Sequence, residues 1–118
     1  MKEIKAYVRP ETLGTLVKRL EGAGAKDMTV IRVDALAALA DWRAGIEGDF
    51  WQGTGKFDGK YSKIAKLDIV CRDADVSRFL ETIRTSCCTG QKGDGRIFVS
   101  NVEWAVNIRT GQQDEEAL

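Results

Sequence analysis

The residues with most chemical potential lie in "TGQKGDGRIFV", Thr89 to Val99. Gly90, Gly93 and Gly95, together with Asp94, Lys92 and Arg96, crowd into eight positions directly before Ile97-Phe98-Val99. Two roles fit such a stretch. An Asp-Gly pair can simply turn the chain from a helix into a strand. Alternatively, a glycine-rich turn leaves amide N–H groups free to hold phosphate oxygens, with Lys92 and Arg96 adding charge. Glycine serves that second role because a Cβ would block the close approach of the anion. The pattern alone leaves both open. The two standard phosphate fingerprints are absent: Gly55-Lys56 and Gly59-Lys60 lack the upstream Gly and the following Ser/Thr of a P-loop, and no G-x-G-x-x-G separates a strand from a helix.

The rest of the inventory narrows the chemistry. The chain has no His, which removes the usual general base and the commonest transition-metal ligand. Three cysteines without a CxxC argue against a disulfide framework and against a zinc ribbon. Cys87 and Cys88, at a helix end, read as small buried hydrophobes. Lys+Arg and Asp+Glu are equal at 18 each, so the basic footprint of a nucleic-acid binder is missing. Low net charge also suits self-association. No apolar run reaches the roughly 20 residues that cross a bilayer, and the charged start "MKEIKAYVRPE" is unlike a signal peptide. With reduced thiols expected, the reading is cytoplasmic.

The elements that must position these residues follow from hydrophobic spacing. Glu3 to Arg9 alternates, with Ile4, Ala6 and Val8 on one face, and predicts a strand. Pro10 opens a helix carrying Leu13, Leu16, Val17 and Leu20 at spacings of three and four, stopped by Gly22 and Gly24. Met28 to Val33 is rich in β-branched residues and predicts a second strand. From Asp34 to Ser62 no steady period survives, and a loop of that length in a compact domain is either a wrong assignment or a functional element. Lys63 to Cys71 predicts a third strand. Asp73 or Asp75 is placed to cap a helix bearing Val76, Phe79, Leu80 and Ile83. Arg96 to Val102 predicts a fourth strand and Glu103 to Arg109 a shorter fifth. Two βαβ halves in this order predict one α+β domain over residues 1–118. It is a ferredoxin-like split βαβ sandwich with both helices on one sheet face. The uncovered face calls for a partner, and oligomerisation supplies one.

Taken together, "MKEIKAYVRPETL", "DMTV" and "IRTSCCTGQKGDGRIFVSNVEWAVNIRTG" resemble the PII signal-transduction family. The likeness covers nearly the whole chain outside the long loop. It implies a homotrimer that binds ADP, AMP or ATP in the clefts between subunits. It also implies a partner-contacting "T-loop" at about 34–62. Residue by residue, Thr89, Gly90, Gly93, Asp94, Gly95 and Arg96 match the family's phosphate-holding loop, with Arg96 where Lys is usual. Thr29 and Val70 match the adenine pocket. Arg109 matches the second basic residue of the family's R-x-R-T-G, whereas the first is Asn107 here.

Other departures concern the second ligand. Leu39 replaces the Gln that helps the family hold Mg²⁺ and 2-oxoglutarate, and a leucine cannot coordinate a hard cation. Ala38 and Ala40 replace nearby basic residues. The resemblance therefore implies loss of 2-oxoglutarate sensing and a place among divergent members that accompany inorganic-carbon uptake. Bicarbonate is the implied second anion, with Lys63, Lys66 or Arg96 as contacts. Tyr61, near the loop base, lacks the family's context for uridylylation. Trp42, Phe50, Trp51 and Phe57 are either a surface for a transporter or enzyme partner or an anchor of the loop on its own trimer. Trp104 is expected to pack in the trimer or against the loop. The alternatives are a nitrogen-type regulator of ammonium transport or glutamine synthesis, a weak nucleotide hydrolase using Glu47, Asp49 or Asp58, and a structural module without nucleotide affinity.

Overall fold

The computed structural model describes residues 1–36 and 61–118. Strand β1 is Lys2–Val8, and a 3-10 turn at Pro10–Thr12 leads into helix α1, Leu13–Gly22. Strands β2 (Thr29–Leu36) and β3 (Tyr61–Cys71) follow, then a 3-10 turn at Asp73–Asp75 and helix α2, Val76–Cys87. Strand β4, Gly95–Asn101, completes a four-stranded sheet ordered β2-β3-β1-β4. Every neighbouring pair is antiparallel. Each βαβ half is split by a strand of the other half, since β3 lies between β1 and β2, and β1 lies between β3 and β4. This is the ferredoxin-like α+β fold expected from the element order.

The pleat explains which residues build the core. Ile4, Ala6 and Val8 of β1 share a face with Ala65, Leu67, Ile69 and Cys71 of β3, and all are buried. Leu16 and Leu20 of α1 and Phe79, Ile83 and Cys87 of α2 cover that face. Each fully buried Leu or Ile contributes about 1.5–3 kcal/mol. Helix α1 ends in a Schellman turn: Gly24, at φ +93°, donates to the Glu21 carbonyl and Ala25 to the Leu20 carbonyl. Arg19 then ties α1 to α2 through the hydroxyls of Thr85 and Ser86, at 3.1 and 2.9 Å.

Among the described residues, the opposite sheet face carries no helix. By register, Glu3, Lys5 and Tyr7 share it with Lys66, Asp68, Val70, Thr29, Ile31, Arg96 and Phe98. Ile31 is 44% exposed and Phe98 50%. Tyr7 and Phe98 meet edge to face at 5.9 Å.

Four sequence expectations change. Strands β2 and β3 reach into the stretch expected to be loop, to Leu36 and from Tyr61, because each strand supplies the other's hydrogen bonds there. Glu103 to Arg109 is not a strand. Instead, Val106 makes a single bridge to Gln113, the Asn107 amide donates to the Gln112 carbonyl, and Gly111 sits at φ +73°. Asn and Gly are turn formers, and they fold this segment back on itself. Neither Asp73 nor Asp75 caps α2 with its side chain. Asp73 pairs with the Met1 ammonium, which holds its carboxyl below the usual value, and Asp75 pairs with Arg78 at 2.6 Å. Cys87 is buried, and burial pushes its thiol pKa up, but Cys88 is exposed.

Candidate functional site

The glycine loop between α2 and β4 is organised by one carboxylate. Asp94 accepts hydrogen bonds from the Thr89 amide at 2.7 Å, the Gly90 amide at 3.1 Å and the Thr89 hydroxyl. Arg9, just past the end of β1, pairs with it at 3.2 Å. Desolvation pushes the Asp94 carboxyl up, but the hydroxyl, the two amides and the guanidinium outweigh it and hold the pKa below its ordinary value. The loop is thus closed upon itself from inside. Thr89, Gly90 and Asp94 hold its shape, and the Asp94 carboxylate serves the loop rather than facing outward to a ligand.

Glycine is required at the loop's exit. Gly95 adopts φ +123°, and a Cβ there would lie 1.8 Å from the Tyr7 carbonyl oxygen. Gly93 at φ +83° and Gly90 at φ +82° take the left-handed conformation that glycine adopts without strain. Arg96 follows on β4, exposed and opposite Tyr7.

The other candidate residues stand elsewhere. Thr29 and Val70 line a cavity of about 780 Å³, together with Trp104, Val106 and Leu118. Asp94, Gly95 and Arg96 line a different cavity of about 670 Å³, beside Leu80, Arg84 and Ile97. The register gives the separation. Val70 faces Glu3 and Glu3 faces Ser100, five positions beyond Gly95 and two strands across. At about 3.3 Å per residue and 4.8 Å per strand, the two groups lie roughly 20 Å apart. One chain therefore brings together the loop residues, and separately Thr29 with Val70, but does not join the two sets.

Asn107 and Arg109 belong to the C-terminal turn and line neither cavity. The Asn107 carbonyl oxygen Oδ1 accepts from the amides of Arg109 and Thr110 at 3.0 and 3.1 Å. Asn107 thus holds the turn that presents the exposed Arg109. Lys63 and Lys66, offered as anion contacts, point to opposite faces of β3, as their odd spacing requires. Lys66 is engaged by Asp68 at 3.1 Å, a hydrogen bond that raises its pKa. Lys63 is exposed opposite Asp34. Tyr61 opens β3. Trp42, Phe50, Trp51 and Phe57 lie outside the described residues, as do Ala38, Leu39 and Ala40.

Two residues gain significance only in three dimensions. Arg9 contacts the glycine loop from 84 positions away, and nothing local in "YVRPE" signals it. Trp104, expected to pack at a subunit interface or against the long loop, is 67% exposed and lines the same cavity as Thr29 and Val70.

The geometry agrees with what the chain is similar to. The family described as "Nitrogen regulatory protein P-II" matches residues 1–112. "Nitrogen regulatory protein P-II 2" of Methanothermobacter thermautotrophicus is 38% identical, across 100% of this chain and 97% of that protein. "Nitrogen regulatory protein P-II" of Bradyrhizobium diazoefficiens is 32% identical across the full length of both chains, and that of Pyropia yezoensis 34%. With its ferredoxin-like sheet, its Asp94-closed glycine loop and a match along almost its entire length, the chain belongs to the nitrogen regulatory protein P-II family of signal-transduction proteins.

Proposed function

We propose that this P-II protein works as a homotrimer that binds an adenine nucleotide between subunits. The phosphates lie on the glycine loop of one chain and the base lies in the Thr29–Val70 cavity of its neighbour. The observation that carries this reading is the separation of those two half-sites, roughly 20 Å apart on one molecule. A second copy brings a Thr29–Val70 cavity to each glycine loop and covers the apolar residues of the open sheet face. Arg109, on an exposed turn, supplies further positive charge to the phosphates.

Nucleotide binding biases the preferred arrangement of the segment between β2 and β3, which contacts a membrane transporter or an enzyme. The shift equals the difference in nucleotide affinity between the two arrangements. Leu39, Ala38 and Ala40 remove the polar groups that would hold Mg²⁺ and 2-oxoglutarate. A nucleotide with fewer phosphates, ADP or AMP, then competes with ATP, and bicarbonate is the second ligand of an inorganic-carbon regulator.

Calorimetry with ATP, ADP and AMP tests the core of this reading. Saturable binding to a trimer is expected, and absence of binding at millimolar nucleotide overturns it. The relatives' names favour a second reading, control of nitrogen metabolism. The same titration separates the two. Tightening of ATP by 2-oxoglutarate with Mg²⁺ supports nitrogen sensing, whereas tightening of a nucleotide by bicarbonate alone supports the carbon reading.

A further inference from the structure

The arginine behind the glycine loop does more than close an ion pair. Its Nη2 donates to the Lys92 carbonyl at 2.8 Å and its Nε to the Gly93 carbonyl at 3.3 Å. The same guanidinium reaches Asp94 at 3.2 Å. Only 11% of the Arg9 side chain is exposed, so it stands behind the loop rather than in front of it.

Peptide geometry turns these contacts into a direction. In a trans peptide unit the C=O and the N–H of the next residue point opposite ways, and no cis peptide bond occurs among the described residues. Holding the Lys92 carbonyl inward aims the Gly93 N–H outward. Holding the Gly93 carbonyl inward aims the Asp94 N–H outward. Two successive carbonyls face one side only when the residue between them takes helix-like angles of either hand. Gly93 at φ +83° is on the left-handed side. Successive amides aimed to one side form an anion-binding concavity.

We infer that Arg9 is a positioning residue for anion binding: its forked side chain draws two carbonyls inward and so presents the Gly93 and Asp94 amides to a phosphoryl group. The inference rests on the nucleotide reading above and names what prepares its phosphate end. It requires a fork. A lysine supplies the charge but, as a single ammonium, cannot engage Asp94, Lys92 and Gly93 together in the planar geometry. The Thr12 hydroxyl donates to the Arg9 carbonyl at 2.8 Å and so helps to fix the Arg9 backbone.

The test compares ATP with adenosine by calorimetry in the wild type, Arg9→Met and Arg9→Lys. Folding of each variant is checked by circular dichroism. In Arg9→Met the affinity for ATP should fall at least tenfold while that for adenosine changes less than twofold. Arg9→Lys should recover only a minor part of the loss. Unchanged ATP affinity in Arg9→Met, equal loss of ATP and adenosine, or full recovery in Arg9→Lys each overturns the assignment. Should the wild type bind neither ligand, the nucleotide reading falls and pyrophosphate decides the rest. Shifts of the Gly93 and Asp94 amide resonances on adding pyrophosphate, absent in Arg9→Met, uphold the role of Arg9, and their absence in the wild type overturns it.

Discussion

Asp94 concentrates three hydrogen bonds and an ion pair on one carboxylate, and removing it should be felt throughout the loop. Asp94→Ala strands the Thr89 and Gly90 amides and removes the carboxylate that pairs with Arg9. Since these groups are partly solvated, the expected cost is about 1–2 kcal/mol, read as a lower urea midpoint at fixed chain concentration. Because the folded-state pKa of Asp94 lies below its unfolded value of about 3.9, the stabilisation is fully present above that value. It is lost as pH falls through the folded pKa. Wild type and Asp94→Ala should therefore converge in stability under strong acid, and a difference that persists there would assign the effect to packing. At this scale the sequence showed the glycines and their neighbours plainly, since Gly-Asp-Gly beside basic residues is a local signal. It hid the inward aim of Asp94, because the partner that defines it, Arg9, is distant along the chain and joins only when β1 pairs with β4.

The elements were readable wherever one face is buried. Alternation marked β1 because Ile4, Ala6 and Val8 face the helices, and the spacing of Leu16 with Leu20 marked α1 for the same reason. Where a strand runs beyond the core and is held only by long-range pairing, the pattern weakens. The ends of β2 and β3 are held by each other rather than by the core, so their composition reads as loop. Glu103 to Arg109 alternates in composition yet turns, because Asn107 and Gly111 supply local hydrogen bonding and a left-handed residue that no neighbouring strand competes with. The contrast between two loop glycines tests the account of β4. Gly95→Ala places a Cβ against the Tyr7 carbonyl and should cost about 3 kcal/mol or more, loosening β4 from β1. Gly90→Ala meets open space and should cost only the left-handed backbone penalty, about 1–2 kcal/mol. Thermal unfolding of the two variants checks the ranking, and equal losses would refute it.

At the level of the whole molecule, the proposed trimer answers two features at once, the open sheet face and the two separated cavities. Ile31→Asp introduces a charge at an exposed apolar position of that face, on β2 opposite Lys66. It should convert a trimer into single chains in sedimentation while leaving the far-UV circular dichroism intact. A trimer that survives the substitution would place the contact elsewhere. The paired strands β2 and β3 bear on how such an assembly could pass on a signal. Eight residue pairs join them, and the outer four, Val33–Leu36 against Tyr61–Ile64, run past the last partner of β1. A slip of one residue would turn every side chain to the wrong face. On the proposed signalling role, news from the far end would arrive rung by rung, as terminal pairs fray or reclose, like a zipper whose slider stops at discrete teeth. Among the β3 amides that face β2, deuterium uptake should be fastest near Tyr61 and slow progressively toward Asp68. Uptake that instead changes along the whole ribbon in one block would mean that it swings as a stiff lever.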